Sequence, residues 1–141
     1  MKRNLLILGL AIVFLTACAG ISLRDNTTQV AIDVSAATTA YLIGQNNPDK
    51  IPDWNKWIDK LLSLKAGDSV LTYETLLAKG FELIDKPFIE MQLNKLIRLL
   101  EFPELQPPGL PFLKAEYLKL VKVIFSGFRD GLQAAQSETQ N

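Results

Sequence analysis

Apolar positions recur along most of this chain at spacings of three and four, the period of helices packed on one side. Asn26, Thr27 and Thr28 offer N-cap side chains, and Val30, Val34, Ala37 and Tyr41 then mark a first helix that should stop near Gly44–Pro48. A second helix should open at Pro52-Asp53, with Trp54, Trp57, Ile58, Leu61 and Leu62 on one face and Asn55, Lys56, Asp59, Lys60 and Ser63 on the other. Ala66-Gly67-Asp68 ends it. A third helix is expected from Ser69 or Thr72 to about Ile84, with Tyr73, Leu76, Leu77, Phe81 and Ile84 inward. Its Gly80 costs about 1 kcal/mol in a helix interior, so a close neighbour is expected there. Asp85-Lys86-Pro87 restarts the chain, and Ile89, Leu93, Leu96, Ile97 and Leu100 make the stripe of a fourth helix. The stretch Phe102–Phe112 holds Pro103, Pro107, Pro108 and Pro111 and cannot be helical through its middle. A fifth helix should run from Pro111 or Phe112 to about Ala135, with Leu118, Val121, Phe125, Phe128 and Leu132 inward and Lys119, Lys122, Ser126, Arg129 and Gln133 outward. Tyr117, Leu120 and Ile124 widen its apolar face, as a central helix requires.

Five amphipathic helices with short connections and few β-branched runs predict an all-α fold, a small orthogonal or bundle-like domain over residues 27–136. Residues 137–141 are polar and should fray. No internal repeat or low-complexity tract interrupts this plan.

The start of the chain follows another logic. Lys2 and Arg3 precede an apolar run from Leu5 to Leu15 that only Gly9 breaks, and small residues follow. That order is that of a secretory signal peptide. The run falls short of the roughly 20 apolar residues a spanning helix needs. Leu15-Thr16-Ala17-Cys18 resembles the bacterial lipobox, and it stands directly after the apolar run. The resemblance covers residues 1–18. It implies a signal peptide over residues 1–17, cleavage before Cys18, lipid on the Cys18 sulfur, and a short tether over residues 18–26. Two or three acyl chains hold a protein on a membrane, whereas one does so only marginally. Ala19 lacks the acidic signal that resembling proteins of diderm bacteria use for inner-membrane retention. The resemblance therefore implies the outer membrane, facing the periplasm, in such a host. The rest of the chain is similar to short helical proteins of bacterial and prophage genomes. The carriers are Ile51-Pro52-Asp53-Trp54 and the helix pair from Thr72 to Leu100. That likeness is a pattern of helices and implies no activity.

Composition narrows the chemistry. Basic and acidic residues number 15 each, and Lys2 and Arg3 fall in the leader, so the remainder carries about −2. Nothing there draws phosphate backbones strongly, and nucleic acid is not an expected partner. There is no histidine, which removes the commonest general base and metal ligand together. The single cysteine forms no intrachain disulfide. Ser63 and Lys65 stand two apart, a spacing that does not share a helix face. Asp49, Asp53 and Asp59 scatter over a turn and a helix, and no calcium-loop pattern is present. Glu74, Glu82, Glu90, Glu101 and Glu116 sit on polar faces, although paired carboxylates form in space rather than in sequence. Neither a cofactor nor a metal is expected.

Two features could serve recognition. Trp54 and Trp57 share a face, either as a stacking platform or headgroup probe, or, as continuation of the apolar stripe favours, as core. The proline-rich stretch carries Phe102, Leu105, Leu110 and Phe112, either presented to a partner or folded back on the core. The expected function is a membrane-anchored, non-enzymatic protein-binding module of the cell envelope. The alternatives are an exclusion or immunity lipoprotein of phage type, a cell-wall glycoside hydrolase using paired carboxylates, and a carrier of apolar ligands.

Overall fold

The computed structural model describes residues 25–84, 87–101 and 105–139. The signal peptide, the lipobox, most of the tether, the Asp85-Lys86 restart and Phe102 lie outside the described residues. Those described form a small all-α domain. Its α-helices are α1 (Asn26–Asn46), α2 (Ile51–Leu62), α3 (Val70–Leu83), α4 (Pro87–Arg98) and α5 (Ala115–Thr139), with a 3-10 turn over Pro48–Lys50 before α2.

Local rules account for the ends. The Asp25 carboxylate accepts the Thr27 amide at 3.3 Å and caps α1, one residue ahead of the expected cap. Pro52 stands in the first turn of α2, where no amide is needed. The turn into α3 passes through Gly67 at φ 94°, a conformation that favours glycine. There the Asp68 carboxylate accepts the Lys65 amide at 2.7 Å. Helix α5 begins at Ala115, later than the apolar pattern suggested. Phe112 instead pairs with Ser69 in an antiparallel bridge, and Leu113 exchanges backbone bonds with Gly67 and Asp68 at 2.9 and 2.8 Å. These bonds tie the proline-rich loop to the α2–α3 turn.

The architecture is built on α1 and α5, which run parallel. Asp33 faces Gly127, Ala37 faces Gly131, and Tyr41 reaches Glu138. Small residues repeat every fourth position on both helices: Ala36, Ala40 and Gly44 on α1, and Gly127, Gly131 and Ala135 on α5. A Cβ added at Gly131 would meet the Ala37 carbonyl, and one at Gly127 the Asp33 carbonyl. Close backbone approach therefore holds the pair.

That packing corrects the sequence reading of α1. Val30 and Val34 are 62% and 42% exposed, and the buried face is Thr28, Ile32, Ser35, Ala36, Ala40, Ile43 and Gly44. The Ser35 hydroxyl donates to the Ala31 carbonyl at 2.7 Å, which hides its polarity inside the helix. Large apolar residues line both sides of α1, and the small residues chose which side faces inward.

Helix α5 buries most of its length, with Phe125, Phe128, Ile124 and Leu132 at its centre. Against it α2 lays Ile51, Trp54, Trp57, Ile58 and Leu61, all buried. The Trp57 ring meets Phe125 and Phe128 edge to face, at centroid distances of 5.4 and 6.3 Å. Gly80 of α3 lies directly against that ring, which leaves no room for a side chain. Helix α4 contributes Leu96 and Ile97, and Leu100 follows it into the core. Of the tail expected to fray over 137–141, residues 140 and 141 lie outside the described residues. Residues 137–139 complete α5, and Glu138 accepts hydrogen bonds from Tyr41 at 2.6 Å and Gln45 at 3.0 Å.

Candidate functional site

The two tryptophans are core residues, as the continuing apolar stripe of their helix favoured, and the alternative of a stacking platform or partner surface is corrected. Trp54 is 2% and Trp57 4% exposed, and their ring N–H groups donate to the Leu83 and Leu76 carbonyls at 3.3 and 2.7 Å. An indole this deep places its polar edge against backbone, because water cannot reach it. Leu105 is likewise buried, so it is not offered to a partner. Gln106 explains why the loop folds back. Its amide donates to the Phe112 carbonyl at 3.1 Å and accepts the Lys114 amide at 3.2 Å, bracing the loop across its base. Leu110 is half-buried, and only Phe112 of the described loop candidates reaches well into solvent.

A recess among the described residues lies elsewhere, over the first turns of α1 and α5. It is an open groove of about 710 Å³. Asn26, Gln29, Val30 and Asp33 form its α1 wall, Lys119, Lys122 and Ser126 its α5 rim, and Leu118 and Val123 its apolar part. Ala66, from the turn before α3, closes one end together with Ala115. The groove opens just beyond the stripe of small residues. Where glycine and alanine end, bulkier side chains begin, and the two helices no longer meet backbone to backbone.

Among the described residues, two lysines and one carboxylate line the groove and set its electrostatics. Burial, and then the charge of Asp130, raise the pKa of Asp33 above the ordinary carboxylate value. The folded state thus holds the Asp33 proton more tightly than the unfolded chain does. Stability from this group is lost as pH rises from the ordinary carboxylate range through the raised value. Asp33→Asn should therefore stabilise the domain at neutral pH and flatten its stability profile in that acid range. Thermal unfolding at both pH values checks it; equal shifts at neutral and acid pH would remove the explanation.

Other titratable groups are less suited to chemistry. Burial holds the Tyr73 and Tyr117 phenols above their ordinary value, so both stay protonated near neutrality. Their rings pack edge to face at 5.8 Å as part of the core. Glu74, Glu82, Glu90, Glu101 and Glu116 are exposed. Asp53 pairs with Lys56 at 3.8 Å, and Asp59 with Arg129 at 3.0 Å. Among the described residues no three acidic or cysteine side chains gather as a metal ligand set.

No protein-family model, curated protein or solved structure matches the chain.

What the groove can do follows from its own residues: hold a group with an apolar part and a charged part. Sequence reasoning missed it because Lys119 and Lys122 were assigned to a solvated strip and Val30 to the core. The available signal was the double four-residue spacing of Ala36, Ala40, Gly44 and Gly127, Gly131, Ala135. Among the described residues no helix is long and apolar enough to cross a membrane.

Proposed function

We propose that the protein is an envelope lipoprotein, anchored by lipid on Cys18, whose helical domain is a non-enzymatic binding module for another envelope protein. The observation that carries this reading is the lipobox-like Leu15-Thr16-Ala17-Cys18 standing a few residues ahead of α1. From Cys18 to Asn26 the chain can span at most about 28 Å. Lipid on Cys18 would therefore keep the domain next to the membrane. Confinement to that layer raises the effective concentration toward membrane partners without any new contact. Val34, Leu83 and Met91 are left in solvent on the domain and offer apolar contact area to a protein.

The test is chemical. In a bacterial host the full chain should incorporate labelled fatty acid and lose residues 1–17. Cys18→Ser should abolish both, leaving an unlabelled, full-length precursor. A native protein with an unmodified Cys18 sulfur, or with its leader still attached, rules the reading out. For the binding role, crosslinking of the lipidated protein in cells should recover an envelope protein that Cys18→Ser does not.

A further inference from the structure

We propose that the end of the domain where the tether enters is a membrane-contacting face, and that the groove between α1 and α5 receives a phospholipid headgroup. This rests on the lipid-anchored reading above and assigns that anchor a second, non-covalent contact.

Four observations converge on one end of the molecule. The chain enters the domain there, since Asn26, the first residue of α1, lines the groove. A lipid on Cys18 is within about 28 Å of chain from that point, so the groove cannot be carried far from the headgroups. Second, Lys119 and Lys122 stand on the groove rim in a chain that otherwise has no basic excess. Lysine stems lie along apolar surface while their ammonium groups reach phosphate. Among the described residues Asp33, on the α1 wall, is the carboxylate lining the groove, and its charge suits the ammonium of a phosphoethanolamine headgroup. Third, Leu118 and Val123 supply an apolar part for the glycerol and upper acyl region.

Fourth, three of the large exposed apolar side chains among the described residues lie on the groove or on the corner beside it. Val30 stands on the groove wall at 62% exposure. Ala66, which closes the groove, belongs to the turn that the Ser69–Phe112 bridge ties to the proline-rich loop. That corner carries Leu71 and Phe112 at 70% and 45% exposure. Lys65 and Lys114 flank it, and Asp25, Asp68 and Glu116 share this end, Asp68 holding the Lys65 amide. Among the described residues the groove itself carries two lysines against one carboxylate. Large apolar residues in solvent beside lysines suit an interface where one side is hydrocarbon and the other wet.

The experiment uses the lipidated full chain in vesicles of phosphatidylethanolamine with a minor share of phosphatidylglycerol. A fluorophore is placed on Phe112→Cys or, as the comparison, on Leu83→Cys, and quenched by lipids spin-labelled at the headgroup. Quenching should be strong at 112 and weak at 83. Lys119→Glu with Lys122→Glu should lower the docked-to-undocked ratio at 112 by about tenfold or more, while the protein stays on the vesicles through its anchor. The milder Lys119→Ala with Lys122→Ala pair should act in the same direction, and circular dichroism checks that both variants remain helical. Equal quenching at the two positions, or no response to either pair of substitutions, overturns the membrane face alone. Mass spectrometry of the same sample separates the two proposals, since an unmodified Cys18 overturns the anchor and this contact together.

Discussion

Trp57→Ala should cost the domain about 3–5 kcal/mol, the range for removing a large aromatic from a packed core. The ring is 4% exposed and joins three helices. It leaves α2, meets Phe125 and Phe128 of α5 edge to face, and lies against Gly80 of α3. Truncation would empty that space, because glycine at position 80 has no side chain to relax into it. It would also strand the Leu76 carbonyl, which now accepts the indole N–H at 2.7 Å. Trp57→Phe keeps much of the ring volume but loses the N–H, so it should fall between the wild type and Trp57→Ala. Urea unfolding of the three proteins measures this. A loss below about 1 kcal/mol for Trp57→Ala would mean that the ring is not the joint between α2, α3 and α5.

The second large effect is one of sign. Gly→Ala inside a helix usually stabilises by roughly 0.5–1 kcal/mol, because alanine loses less backbone entropy. At Gly131 the same change should destabilise by about 1–3 kcal/mol, the cost of overpacking a close contact. The added Cβ would meet the Ala37 carbonyl, with the Ala40 Cβ also close at 2.9 Å. Backbone cannot swing aside as a flexible side chain can, so α1 and α5 would have to separate along their contact. Gln133→Ala, at an exposed position of the same helix, supplies the comparison and should be near neutral. The unfolding midpoints of the two variants decide it. If Gly131→Ala unfolds later than the wild type, the close parallel contact of α1 and α5 is wrong.

These two predictions rest on features of unequal visibility in the chain. Trp54, Trp57, Ile58 and Leu61 announce α2 and its buried face, because large apolar residues and an opening proline are strong local signals. Gly80 was legible as a site of close approach, though not the indole that fills it. Helix α1 was legible as a helix and misread as to face. Val30 and Val34 outweigh Ala36, Ala40 and Gly44 in any hydrophobic count, yet the small residues are buried, because they let two backbones come together. The loop after α4 was legible as non-helical from its prolines. The burial of Leu105 depends on Gln106 bonds to Phe112 and Lys114, which no local pattern displays.

By itself the sequence determined the all-α class, the helix count among the described residues, and the lipobox-like segment that motivates the proposed anchor. These are properties of adjacent residues: helical period, caps, prolines, and a short motif after an apolar run. Only the tertiary structure decided that the first and last helices run parallel, which rings and carbonyls the tryptophans meet, and that Asn26, Asp33, Lys119 and Lys122 border one groove. Residues about ninety positions apart meet through shape, and shape complementarity between small side chains leaves little trace in a one-dimensional pattern.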